Sequence, residues 1–161
     1  MIIMGVDPGI ARVGWAVLQT KHQKITPIAF DCIETHKDKL PETRLKEIYD
    51  ATVKLVKTYR PDCLAVEDLF FATNAKTAIG VGQSRGVLLL AAATHGVAVI
   101  SYSPLAVKRT ITGDGKADKK QVSRMVMLTL KLKEVPKLDD TSDAIAIAMT
   151  HAYSYKIKQL T

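Results

Sequence analysis

The sequence predicts an α/β fold, a five-stranded mixed sheet with helices on both faces. Three observations predict it. Three strand-like segments follow one another near the N-terminus with short connections, which implies an antiparallel meander. The first of them is apolar at nearly every position, the pattern of a strand buried on both faces. From residue 41 onward, helical and strand patterns alternate, and a meander followed by alternating units gives a mixed sheet covered on both sides.

The elements run as follows. Residues 1–6 are a continuous apolar run that Asp7-Pro8-Gly9 breaks as a turn. Residues 13–18 and 25–33 read as the second and third strands. Residues 41–59 carry helical spacing at Leu45, Ile48, Tyr49, Thr52, Val53 and Val56, and Pro61 ends that helix. Residues 63–66 are a short apolar strand closing at Glu67. Residues 74–95 form a long helix with Asn74 as N-cap and Gly96 as stop. Residues 97–102 are the fifth strand. Ser103-Pro104 has N-cap and first-turn chemistry for a short helix to about residue 110. A loop at 112–115, a helix at 118–130, an irregular stretch at 135–139 and a last helix at 140–156 complete the chain. No repeat, low-complexity segment or linker interrupts it, so residues 1–161 are expected to form one domain.

Bulk properties narrow the function classes. A chain of 161 residues can bury about 70% of its unfolded surface. No apolar run approaches the roughly 20 residues needed to cross a bilayer. The N-terminus lacks the charged start of a signal peptide, so a cytoplasmic setting is expected. Cys32 and Cys63 have no partner at metal-binding spacing and read as reduced thiols. The net charge of +7 fits a polyanionic partner. Its distribution says more: residues 104–137 hold nine basic residues against three acidic ones, so +6 of the surplus sits in a fifth of the chain. That asymmetry suggests a phosphate-binding surface.

Acidic residues interrupt apolar elements at informative places. Asp7 ends the first buried strand and Glu67 ends the fourth. Strand ends in open sheets are where sites are built, and a charge there is costly unless paired or metal-bound. Asp140 and Asp143, at i and i+3, share a face at the start of the last helix. That helix continues as Ala144-Ile145-Ala146-Ile147-Ala148-Met149, apolar all round and therefore buried. Each acid also has an ordinary explanation in turn chemistry, solvation or the helix dipole. If the three elements converge, however, four carboxylates meet near one point. Oxygen ligands without His or Cys select Mg²⁺ or Mn²⁺. Two such ions about 4 Å apart can support phosphodiester cleavage.

The order strand-Asp, strand-Glu, helix-Asp-x-x-Asp resembles the ribonuclease H fold. Within it, Met4-Gly5-Val6-Asp7-Pro8-Gly9 followed by Val13-Gly14-Trp15-Ala16-Val17 resembles the first motif of the RuvC family of Holliday junction resolvases. Further matches are Val66-Glu67-Asp68-Leu69-Phe70, Gly82-Gln83-Ser84-Arg85-Gly86, Val107-Lys108-Arg109-Thr110, Lys119-Lys120-Gln121-Val122 and the segment from Asp140 to Ala148. They keep the family's order from end to end.

The resemblance implies a ribonuclease H-like nuclease acting on four-way DNA junctions. It implies paired symmetric nicks with 5′-phosphate and 3′-hydroxyl ends. Asp7, Glu67, Asp140 and Asp143 would hold two Mg²⁺ ions, with Mn²⁺ as a substitute, and Asp7 would bridge them. Lys108 and Lys119 match basic residues near the scissile phosphate, where a point charge suits phosphate positioning. Phe70 would stack on a base at the junction centre, while Phe71 more simply anchors its loop. Arg85, Lys76, Lys116, Lys120 and Arg124 are further candidates for backbone contacts. Ala75, Ala78, Gly80, Gly82 and Gly86 give the 74–95 helix a small-residue character, and close approach to another helix would offset the cost of its glycines. The resemblance implies a two-fold homodimer, matched to a roughly two-fold junction, and the RuvA and RuvB branch-migration complex as partner. The histidines fit no ligand spacing.

Other readings compete. The Asp7-Pro-Gly segment also resembles the first phosphate loop of actin-like ATPases and sugar kinases, but those need a second such domain and phosphate loop. A junction-binding module would keep the basic segment, yet clustered carboxylates are costly without a metal. A nuclease for RNA–DNA hybrids or ribosomal RNA precursors would share the acids and not prefer four-way junctions.

Overall fold

The computed structural model describes residues 1–22, 24–68, 75–132, 134, 136 and 138–160, with backbone alone for 75–77 and 156–160. Five strands form one sheet: β1 (Ile2–Asp7), β2 (Arg12–Lys21), β3 (Lys24–Glu34), β4 (Cys63–Glu67) and β5 (Ala98–Tyr102). The helices are α1 (Pro41–Tyr59), α2 (Ala75–Ala93), α3 (Pro104–Thr112), α4 (Lys119–Leu130) and α5 (Asp139–Leu160).

The strand order is β3-β2-β1-β4-β5. β1 pairs antiparallel with β2, and β2 with β3. β1 pairs parallel with β4, and β4 with β5. The sheet is therefore mixed, with the apolar β1 at its centre.

Alternation divides the strand residues between two cores. Ile3, Ala16, Leu18, Cys63 and Ala65 face α3, α4 and α5. Met4, Val6, Val13, Val17, Leu64 and Val66 face α1 and α2 through Ile48, Val56, Leu88 and Ala92. Each fully buried Val, Leu, Ile or Met side chain here contributes about 1.5–3 kcal/mol. Residues 144–150 of α5 are buried without a break.

Two glycines set how close α5 comes to the sheet. A Cβ on Gly5 would stand 2.3 Å from the Ala144 carbonyl oxygen and 2.7 Å from Ala148 Cβ. A Cβ on Gly14 would stand 1.9 Å from the Asp140 carbonyl oxygen. With no side chain at either position, the start of α5 lies directly on β1 and β2.

The helix ends follow local chemistry. Ser103 caps α3 by accepting from the Ala106 N–H, with Pro104 in the first turn. Asp118 and Gln121 form a reciprocal capping box at the start of α4. β2 and β3 are longer than the expected 13–18 and 25–33, because their ladder continues from Arg12↔Glu34 to Lys21↔Lys24 through polar residues. α2 ends at Ala93 and not at 95, and α5 begins one residue before Asp140 and ends at Leu160. The expected Asn74 cap lies outside the described residues. Both cysteines are free thiols, on β3 and β4. Among the described residues, no helix is long and apolar enough to cross a membrane.

Candidate active site

β1 and β4 run parallel and side by side, so their C-terminal residues, Asp7 and Glu67, emerge at the same edge of the sheet. This is the edge at which parallel sheets carry their sites. Because α5 starts against Gly14 and Gly5, its first turns lie beside that edge. Asp7, Glu67 and Asp143 line one cavity of about 300 Å³, together with Lys108, Lys119, Pro104, Val107, Val122 and Ile147. Three carboxylates and two ammonium groups thus surround an opening with apolar walls.

The electrostatics record this crowding. Burial, followed by the charges of Asp143, Glu67 and Asp140, raises the Asp7 carboxyl well above its ordinary value, while Lys119 opposes the rise. Burial and Asp143 push Glu67 up to about 7, against the pull of Lys119 and Lys108. Lys119 Nζ donates to Asp143 Oδ2 at 3.0 Å, and that bond, with the surrounding carboxylates, raises the lysine as well.

Asp140 stands apart from the other three. It is not in the cavity lining, and its nearest cation is Arg12, at 3.9 Å. Arg12 also reaches Glu34 at 3.6 Å. Asp139 faces an adjoining groove on the outer side of α4, lined by Lys119, Lys120, Ser123, Arg124, Met127 and Leu128. Lys120 and Arg124 thus extend the basic surface from the cavity along α4. Lys116 is exposed in the preceding turn and lines neither opening; its backbone N–H donates to Asp114. Phe70 and Phe71 lie outside the described residues, as does the Lys76 side chain.

Arg85 of α2 approaches from the opposite face of the sheet. Its Nε donates to the Glu67 carbonyl oxygen at 3.2 Å, and its Nη2 donates to Asp68 Oδ1 at 3.0 Å and Ser101 Oγ at 2.7 Å. Sequence reasoning gave no role to His151 and overlooked Tyr102. The half-buried Tyr102 places its hydroxyl 2.8 Å from Nδ1 of the buried His151. Arg12 was overlooked too. The helical spacing of His151 from Asp143 and Ile147 was the only trace of the first contact, and the Arg12–Asp140 approach leaves no periodic signal.

The glycines of α2 have different roles. A Cβ on Gly80 would be 3.2 Å from Ile10 Cγ2 of the same chain, so this glycine serves internal packing. A Cβ on Gly86 would meet nothing within 4 Å. Ile79 and Leu90, seven residues before and four after Gly86 in this region of the helix, are 70% and 55% exposed.

The residues fit a hard divalent cation by donor chemistry. The cavity's acidic lining is all carboxylate oxygen, and burial, reinforced by mutual repulsion, holds Asp7 and Glu67 in the neutral direction. Among the described residues, no three potential ligands are gathered closely enough to hold an ion as they stand. Lys119 supplies the nearest positive charge.

Comparison with known proteins gives a consistent picture. The family model described as crossover junction endodeoxyribonuclease RuvC matches residues 3–151. The chain is 46% identical over 152 residues to the crossover junction endodeoxyribonuclease RuvC of Desulforamulus reducens, covering 94% of this chain and 93% of that protein. It is 49% identical to the RuvC of Brevibacillus brevis, covering 94% and 92%. Among solved structures, Thermus thermophilus RuvC in complex with a Holliday junction substrate superposes with a TM-score of 0.92 at 34% identity, covering 98% and 96% of the two chains. The yeast mitochondrial resolvase Ydc2 shares the fold at 14% identity, with a TM-score of 0.66. The fold is the ribonuclease H-like one, and the chain belongs to the RuvC family of crossover junction endodeoxyribonucleases.

Proposed function

We propose that this chain resolves four-way DNA junctions in recombination and repair, as a divalent-cation-dependent endonuclease making paired symmetric nicks. The observation that carries this is the single cavity at which Asp7, Glu67 and Asp143 meet Lys108 and Lys119. Family membership and the junction-bound Thermus thermophilus relative support the substrate.

Asp7, Glu67 and Asp143 would hold the cations, with Asp140 joining from the previous turn of α5. Mg²⁺ in two sites, replaceable by Mn²⁺, is the reading that their oxygen chemistry favours. When bound, such ions supply water activation and charge stabilisation at the departing 3′-oxygen, leaving a 5′-phosphate. The chain's own lysines hold the substrate. Lys108 and Lys119 point positive charge into the cavity, where a phosphodiester's oxygens gain charge as the bond breaks. Lys120 and Arg124 would continue the backbone track along α4, with Lys116 and Lys76 as outlying contacts and Phe70 stacking at the junction centre. Val107, Val122 and Ile147 form dry walls that strengthen each of these interactions.

A homodimer joined through the outer face of α2 belongs to the same reading. Ile79 and Leu90 are exposed there, and Gly86 leaves room for a close approach. Two sites related by a two-fold axis would meet two equivalent strands. A single domain in the cytoplasm, working with the RuvA and RuvB branch-migration complex, completes the proposal.

The test is a labelled four-way junction incubated with the protein with and without Mg²⁺, beside linear duplex and RNA–DNA hybrid. Selective paired nicking of the junction supports the reading. Equal cutting of all three would leave the metal site and overturn the substrate.

A further inference from the structure

Glu67 and Asp68 are neighbours with opposite duties. Along β4 the side chains alternate: Ala65 packs toward α3, α4 and α5, and Val66 toward α1 and α2. Glu67 therefore returns to the cavity side, while Asp68 meets Arg85 of α2 on the other. The Arg85 guanidinium uses two nitrogens on three acceptors: the Glu67 carbonyl, the Asp68 carboxylate and the Ser101 hydroxyl. Ser101 lies on β5, directly opposite Val66 in the ladder. The Asp68 N–H in turn donates to the Tyr102 carbonyl at 2.8 Å. A single side chain, only 19% exposed, thus ties α2 to the last peptide of β4 and to β5.

We propose that Arg85 is a positioning residue for the Glu67 carboxylate. It fixes the strand-end peptide from the face opposite the cavity, and through that peptide it sets how well the site takes a divalent cation. The planar fork suits this task, because it spans main chain and carboxylate at once where a lysine offers one point of attachment. A carboxylate at the end of a strand has no helical neighbour one turn on to hold it. Its precision must come from the peptide that carries it. The inference also gives α2 a mechanical link to the site, so a contact on the outer face of that helix can be felt at Glu67. It rests on the cation-dependent reading above.

The test measures Mg²⁺ and Mn²⁺ binding by calorimetry on the purified protein without DNA, and four-way junction binding without metal across a salt series. The variants are Arg85→Ala, Arg85→Lys and Asp68→Asn, with Glu67→Gln as reference. Partners that orient metal ligands typically govern affinity by about 10–100-fold. Arg85→Ala is expected to weaken cation binding at least about tenfold, with Arg85→Lys recovering some of it. Asp68→Asn, which keeps shape and the Ser101 bond, is expected to weaken it less. Junction affinity and its salt slope should stay at the wild-type level, and cleavage by Arg85→Ala should recover as the cation concentration is raised. Unchanged cation binding in Arg85→Lys and Asp68→Asn overturns the proposal even if Arg85→Ala fails to fold. Weaker junction binding with a salt slope reduced by about one also overturns it and makes Arg85 a phosphate contact. If Glu67→Gln itself leaves cation binding intact, the ligand role of Glu67 falls, and the proposal with it.

Discussion

A side chain on Gly14 would collide with the backbone of Asp140: its Cβ would lie 1.9 Å from that residue's carbonyl oxygen. The bare backbone of β2 is thus the seat on which the first turn of α5 rests, and Gly5 of β1 seats the next turn of the helix in the same way. Asp143 reaches the strand-end acids, and Asp140 comes to stand one turn behind it, because these two glycines let the helix down onto the sheet.

Gly14→Ala and Gly5→Ala are therefore expected to lift α5. The cost should lie at or above the upper end of the about 1–3 kcal/mol typical of overpacking, because the obstacle is backbone. Denaturant midpoints measure it. Gly86→Ala is the control, since nothing lies within 4 Å of its added methyl. It should be neutral or should stabilise an isolated protomer by up to about 1 kcal/mol. Equal losses at all three positions would contradict the seating role.

Glu67 gives a pH prediction. Its folded value of about 7 lies above the ordinary glutamate value of 4.5, so the folded state favours the neutral acid. The stability from that protonation is fully present below about 4.5 and is lost as pH rises through about 7. Measured against Glu67→Gln without metal, wild-type stability should fall across this window. Saturating Mg²⁺ should flatten the fall, because a bound cation favours the carboxylate. A wild-type advantage that grows with pH would refute the crowding of the acids.

Lys119 should have two opposed effects. Its ammonium holds Asp143 at 3.0 Å, where a cation would also bind. Lys119→Met should lower the cleavage rate by at least about tenfold, the loss of one charge at a developing anion. The same variant should gain more thermal stability from added Mg²⁺ than the wild type does. A smaller gain would mean that the lysine does not compete for Asp143.

Much of this was legible in the sequence, for identifiable reasons. α1 runs from Pro41 to Tyr59 as expected, because a proline opens it and Arg60 turns left-handed just before Pro61. The acids stood out because Asp7 and Glu67 end short apolar runs, and Asp143 opens a helix with no polar face. Pairing was harder to see. Periodicity says which face a residue occupies, and not that β1 lies between β2 and β4. The glycines show the same limit. Those in α2 drew notice for their cost inside a helix, yet Gly80 packs on Ile10, while Gly5 and Gly14 control the approach of α5. Arg85 read as one more basic residue, because its three acceptors come together only when α2 crosses behind β4 and β5.

The outer face of α2 offers a direct check on assembly. Ile79→Asp or Leu90→Asp places a charge where the dimer reading has apolar contact. Sedimentation should show the wild type as a dimer and these variants shifted to monomer, with their folding intact because both side chains are exposed. Monomeric variants should bind a junction more weakly and lose paired incision before they lose single nicks. Variants that remain dimeric would move the interface elsewhere.

The central claim is that the acids at the ends of β1 and β4 and at the start of α5 form one cation-dependent cutting site. The measurement that tests it most directly is cleavage of a synthetic four-way junction with labelled arms, with and without Mg²⁺, by the wild type and Asp7→Asn. The account predicts paired symmetric nicks bearing 5′-phosphates in the wild type with metal. It predicts none without metal and none from the variant, which should still bind the junction. Tight junction binding with no cutting, in Mg²⁺ or Mn²⁺ and across several junction sequences, would contradict it.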